Sequence, residues 1–437
     1  MGSCIYNEEK ILNILNMKII IIHPEGNFNN NPNLLAITQI LIENNYQVDI
    51  LLPKKNIYQK SIHPMNRLFF YEEHDSSILS ENYKLVIGVD LGIIDAALIA
   101  TIKQVPLGYI SYEIFFEDEV GYYPKQLEII ACRAVDFVIC QDIIRAEHLS
   151  KQNEIPLDKF ILIPVAGLDI VRKDKNKFLH DKLSIPHNRK IALLMGSVAK
   201  FTMAEEIIEN TQYWDKSWCL VVHDRYGKTP LKEKYTYLPN VYFSEEPTDS
   251  FESLSTLIAS VDVGIALYQQ QTGDIYQGKN IKYIGLSSGK IATMLQNGKP
   301  VIVNQIGKYA ELILKYNAGR VISSINELPQ NLSEIDNVPG SIAENCYNLF
   351  TEHLSARLYA KVLTNTISEI INRNHSVKSL DILKNQINTF FHIIHLRKKQ
   401  IEAERLKENV YKSYSYRIGH LITQPYRFIY KILEYLK

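Results

Sequence analysis

The 437-residue sequence has no excess of either charge, since 48 Lys and Arg offset 48 Asp and Glu. No global basicity therefore argues for a nucleic-acid partner. Cysteine is scarce and dispersed: Cys4, Cys132, Cys140, Cys219 and Cys346 form no CxxC pair and have no histidine at ligand spacing. That pattern excludes a disulfide framework and a zinc site and reads as reduced cytosolic thiols. No uncharged apolar run of about 18 residues exists, the length a membrane span needs. The nearest, Leu85 to Ile102, is broken by Asp90 and Asp95. A soluble chain, or one peripheral to a membrane, is expected. The opening residues MGSCIYNEEKILNILN carry acidic charge and only a short apolar helix, which disfavours a secretory signal. Met17 could equally be the start, because Lys18 opens the first convincing strand.

What is present is a grammar repeated twice. Short apolar strands alternate with helical stretches from Lys18 onward: KIIII, a helix from Asn33 to Glu43, then QVDILL, KLVIGV, VPLGYIS, DFVICQ and KFILIP. This alternation marks a parallel sheet wrapped by helices. It lapses after Pro164, where RKDKNKFLHDK is charged and reads as a linker. It restarts at Lys190 with KIALLMG, WCLVVHD, NVYF, VDVGIALY, PVIVN and GRVISS. The expected fold is α/β, with two Rossmann-like domains facing a central cleft and a C-terminal helical extension. The expected boundaries are an N-terminal extension over 1–17, a first domain over 18–170, a linker over 171–188 and a second domain over 189–338. Crossover helices over 339–373 and a helical tail over 374–437 follow.

Two such domains bind ligands in the crevice at the carboxyl ends of their strands. Polar clusters follow the strands on that side: HPEGNFNNNP after KIIII, Asp90 after KLVIGV, YEIFFEDE after GYIS, GSVAK after IALLM and HDRYG after CLVV. The long polar loop from Gln269 to Gly285 ends in GLSSGKIATMLQNGKPVIVN, which reads as a phosphate-gripping loop, one short helix and a buried strand. Ser287 and Ser288 are good N-cap residues, Gly289 allows close approach, and amides at a helix start attract anions. Lys290, Thr293 and Asn297 share a side that could face the cleft, with Lys290 adding a cation, and ordinary helix capping is the plainer alternative. Gly196, Ser197 and Lys200 would face the same anion, and Arg225 could add charge to it. Glu25, Gly26 and Asn27 lie in a loop suited to an acceptor or sugar contact, though turns use the same residues. Glu113 and Asp90, at strand ends, are the candidates for general base. His23 has no partner at metal-ligand spacing. Asp142 before Arg145 is explained as an N-cap, and Asn280, Lys282 and Tyr283 adjoin the phosphate loop.

The two Rossmann-like halves, with SSGKIATMLQNGKPVI in the second, resemble the GT-B glycosyltransferases, in particular the large group that builds bacterial cell-surface polysaccharides. The resemblance covers roughly Lys18 to Arg373. It implies sugar transfer from a nucleotide-diphosphate donor, with Ser287, Ser288, Gly289, Lys290 and Thr293 holding the donor's pyrophosphate and ribose. It implies no cofactor, the helix dipole and cations replacing a metal. Many members carry two glutamates separated by seven residues, whereas Gly285 and Thr293 stand at the corresponding positions here.

Beyond the second domain, Ile342 to Asn372 should form helices that cross back onto the first. Leu380, Leu383, Ile387, Phe390, Phe391, Ile394 and Ile401 keep helical spacing, predicting an amphipathic helix to about Tyr411. The final YSYRIGHLITQPYRFIYKILEYLK mixes aromatic and basic residues. Residues 376–437 therefore suit an anionic membrane surface or a homo-oligomer contact. The reading is a cytoplasmic transferase, peripheral to the membrane, acting on a surface-glycan or lipid-linked acceptor. A nucleotide-sugar epimerase and a catalytically inactive scaffold are the alternatives.

Overall fold

Continuous Ile, Val and Leu runs suit the central strands of a parallel sheet, which are buried on both faces. KIIII behaves this way, Ile19 to Ile22 having no exposed surface. The computed structural model describes residues 17–24, 26, 28–29, 31–54, 59–73, 77–224, 229, 231–248, 250–271, 278–335, 341–373 and 385. The short N-terminal helix and all but one residue of the amphipathic tail expected from the sequence lie outside them.

The first sheet comprises β1 (Lys18–Ile22), β2 (Gln47–Leu52), β3 (Asn66–Phe70), β4 (Tyr83–Val89), β5 (Leu107–Ile110), β6 (Phe137–Cys140) and β7 (Phe160–Leu162). All pairings are parallel, in the order β3-β2-β1-β4-β5-β6-β7. The second comprises β8 (Lys190–Gly196), β9 (Trp218–Asp224), β10 (Val241–Ser244), β11 (Val263–Ala266), β12 (Val301–Asn304) and β13 (Gly319–Ile322). It is also parallel, ordered β10-β9-β8-β11-β12-β13. Strand order reverses between β1 and β4 in one sheet and between β8 and β11 in the other. Those reversals are where a crevice opens at the strand ends. Strand β3, not anticipated from the sequence, is an edge strand mostly half-buried, so it lacks the long apolar run that revealed the others.

Residues 171–188 are not a bare linker. They contain the helix Phe178–Leu183, and Leu179 and Ile185 are buried in the second domain's core. Surface charge hid this in the sequence: Arg172 pairs with Glu344, Lys173 with Glu252 and Lys175 with Asp262, while the intervening apolar residues turn inward. The chain returns near the end. Leu349, Phe350 and Leu354 pack in the second core, and Ala356, Leu363, Ile367 and Ile370 in the first. The two crossings lie side by side, with the Ala356 amide bonded to the Gly167 carbonyl at 3.0 Å. Arg357 clasps them, reaching Glu43 at 2.6 Å and Asp169 at 3.1 Å.

One core carboxylate sets a pH dependence. Asp95, in the helix Gly92–Lys103, is 1% exposed and receives the Tyr71 hydroxyl at 2.9 Å. Burial pushes its carboxyl up to about 7, against the smaller opposing effect of that hydrogen bond. A raised folded-state value means that the contribution is complete below the unfolded value, near 4, and is lost as pH rises through about 7. Asp95→Asn, which mimics the neutral form, should come closest to the wild type in denaturant unfolding below about pH 4. At pH 8 it should be more stable, by on the order of a few kcal/mol. Equal differences at both pH values would refute the assignment.

Candidate active site

One wall of the crevice is built from the ends of β8, β11 and β12 and the start of the helix Gly289–Gln296. Gly196 closes β8 with φ +93°, a conformation that favours glycine. The Lys290 side chain lies over it: a Cβ built at Gly196 would stand 3.6 Å from Cε and 3.9 Å from Nζ. Lys290 also sits 4.9 Å above the Tyr268 ring, a cation–π contact. Ser197 is half-buried and accepts the Thr202 hydroxyl on its carbonyl at 3.0 Å, while Lys200 is exposed. Arg225 lies outside the described residues.

The serines do not cap as their positions suggest. Ser288 makes no side-chain cap; its Oγ pairs with the Tyr268 hydroxyl at 2.7 Å, and its carbonyl accepts Tyr309 Oη at 3.2 Å. Ser287 Oγ donates to the Ile284 carbonyl. Tyr268 thus engages the hydroxyl that would have closed the helix, leaving the amides of its first turn without a side-chain cap and available to an anion. Gly289 is half-buried, with Val165 of the chain crossing 3.3 Å from a Cβ built there. Thr293 corrects another expectation. It is 3% exposed, its carbonyl taking the Asn297 side-chain amide at 2.9 Å, so this side of the helix is packed instead of open.

Sequence reasoning missed Tyr268, Tyr309 and Asn304. Asn304, ending β12, grips Tyr268 twice, accepting its amide at 3.1 Å and donating to its carbonyl at 2.7 Å. The available signal was positional: both residues sit at carboxyl ends of strands beside the switch point.

On the opposite wall, Asp90 and Glu113 separate in role. Asp90 is buried with φ +52°, and its Oδ1 accepts the amides of Tyr112 at 2.7 Å and Glu113 at 2.9 Å. It anchors the end of β5 rather than presenting a base. Glu113 is exposed and accepts the Asn280 side-chain amide across the crevice. Gly26 packs on His23 so closely that a Cβ there would overlap the imidazole. Glu25 and Asn27 lie outside the described residues. Among the described residues no cluster of three or more His, Cys, Asp or Glu is placed to hold a metal ion.

The two walls are stitched together along residues 279–287. Lys279 pairs with Asp118, and Tyr283 stacks on His148 at 3.9 Å between centroids. Asp142 does more than cap. Its Oδ1 accepts the Arg145 amide at 3.0 Å, and its Oδ2 reaches over to the Leu286 amide at 2.9 Å. Gly285, with φ +46°, presses against this carboxylate, and a Cβ at 285 would fall on Asp142 Oδ2.

Two parallel doubly wound sheets sharing one crevice, with an anion-ready helix start on one wall, define the GT-B glycosyltransferase fold. The comparisons agree on the fold. Residues 208–367 match the family described as glucosyltransferase 3-like, C-terminal domain. No curated protein sequence matches the chain. Among solved structures, HepE of Anabaena in complex with UDP and glucose aligns with a TM-score of 0.61 at 15% identity, over 81% of this chain and 100% of that one. Sucrose-phosphate synthase of Thermosynechococcus elongatus aligns at 0.59 and 12%, over 81% and 98%. WaaG, a glycosyltransferase involved in lipopolysaccharide biosynthesis, aligns at 0.56 and 14%, over 80% and 99%.

Proposed function

We propose that this protein transfers a sugar from a nucleotide-diphosphate donor to a surface-glycan or lipid-linked acceptor. The observation that carries the reading is the uncapped start of the helix Gly289–Gln296, with Lys290 above the Gly196 turn. In this reading the acceptor oxygen bonds to the anomeric carbon as the bond to the diphosphate breaks. Negative charge then grows where the first-turn amides and Lys290 can stabilise it. Glu113, exposed on the facing wall, takes the acceptor's proton. No metal ion is called for, because amides and ammonium supply the positive field. The complexes of HepE with UDP-glucose support a nucleotide-sugar donor, and the likeness to WaaG supports a glycan acceptor. Among the described residues no helix is long and apolar enough to cross a membrane. The reading places the enzyme at the inner membrane face, through residues 376–437.

A scaffold reading draws on one observation, the closure of position 285 to any side chain. A thermal-shift panel of nucleoside diphosphates separates the two. Binding at about 100 times the dissociation constant should stabilise the fold by about 2.7 kcal/mol. Mass spectrometry should then show a hexosylated acceptor with the matching donor, undiminished by chelator. No shift with any member of the panel, and no product, would leave the scaffold reading standing.

A further inference from the structure

A buried guanidinium is costly to desolvate unless it is well partnered. Arg145, in the first domain, is 1% exposed, yet among the described residues every acceptor of its guanidinium is neutral. It donates to the Tyr112 carbonyl of its own domain. From the other domain it meets the Tyr283 carbonyl at 3.4 Å and Ser287 Oγ at 3.5 Å. Its Nε has no acceptor among the described residues. The bonds toward the second domain are near the outer limit of hydrogen bonding, so the slack in its coordination faces the donor loop.

The placement is specific. Tyr112 directly precedes Glu113, and its amide hangs on Asp90. Ser287 directly precedes the Ser288–Gly289 start of the donor helix. One cation therefore joins the strand end carrying the proposed base to the loop carrying the proposed diphosphate grip. A positive charge in a water-poor setting acts on a neighbouring anion more strongly than a surface charge does.

We propose that Arg145 is a positioning residue of the donor site: it brackets the two loops across the crevice and lends its charge to the diphosphate bound at the helix start. This rests on the donor reading above and adds a residue from the opposite domain to it. A merely structural arginine would affect all nucleotides alike. A charge serving the diphosphate would discriminate by phosphate number.

The test is calorimetric binding of uridine, guanosine, adenosine and thymidine diphosphates to the full chain, followed by the best binder against its monophosphate. Arg145→Gln should lose about tenfold in diphosphate affinity, equivalent to about 1.4 kcal/mol. The monophosphate should change much less, and Arg145→Lys should recover most of the loss. Arg145→Met, which keeps the buried stem, is read in the same way should the Gln variant not fold. Unchanged diphosphate affinity, or equal losses for both nucleotides, would overturn the proposal. Lys290→Ala is the control. If it loses diphosphate binding while the Arg145 variants keep it, only the role of Arg145 falls. If the wild-type chain binds no member of the panel, the donor reading falls and this proposal with it.

Discussion

Replacing Lys290 with Met should lower sugar transfer by about two orders of magnitude, the scale set by removing one preorganised donor from a developing negative charge. The expectation follows from where the ammonium lies. It is held against the Gly196 turn and the Tyr268 ring, beside amides left open because Ser288 gives its hydroxyl to Tyr268. Met keeps the aliphatic stem over the ring, so packing is retained and the loss reports charge. If the lysine acts on the departing diphosphate, kcat should fall more than KM rises, since its contribution grows as charge accumulates. Steady-state kinetics beside a thermal midpoint resolve this. Wild-type turnover in a folded Lys290→Met protein would remove the lysine from the mechanism.

A side chain at position 285 should be nearly as damaging, for a different reason. Gly285 adopts φ +46°, which alone disfavours any L side chain, and its Cα faces Asp142 across the domain boundary. Gly285→Ala places a methyl group on that carboxylate. Because the obstacle belongs to the other domain, the readiest relief is separation of the walls. That breaks the bond from the Leu286 amide to Asp142 and draws Asn280 away from Glu113. The expected result is a larger radius of gyration in small-angle scattering and at least tenfold slower transfer, equivalent to about 1.4 kcal/mol or more in the barrier. The residual backbone penalty is on the order of 1 kcal/mol. Adding Asp142→Ala should restore compactness, because it removes the obstructing oxygen. If Gly285→Ala alone scattered and turned over like the wild type, the clash would be shown to relax locally.

Much of the fold was legible because strands buried on both faces favour apolar runs, and twelve of the thirteen strands among the described residues were expected from theirs. The exception, β3, is an edge strand in which a buried Asn66 and a half-buried Arg67 precede Leu68, Phe69 and Phe70. The Ser-Ser-Gly-Lys start of the helix Gly289–Gln296 stood out as well, as a pattern that suits either an anion or ordinary capping. Its wiring did not. That Ser288 turns to Tyr268, a residue twenty positions away, depends on how β11 and the helix come together in space. Local pattern reveals Asp142 as the cap of its own helix, but not that it grips Leu286 as well. One oxygen serves a neighbour three residues on, the other a partner 144 positions distant. Arg145 was hidden in the same way, reading as an ordinary charge in the first turn of a helix.

The paired chain crossings have a mechanical consequence. Residues 164–171 and 354–357 run together at one edge of the crevice, clasped by Arg357 to Glu43 and Asp169. The stitches along 279–287 are side-chain contacts without a covalent connection. Any relative movement of the walls would therefore turn about these crossings and part Lys279 from Asp118.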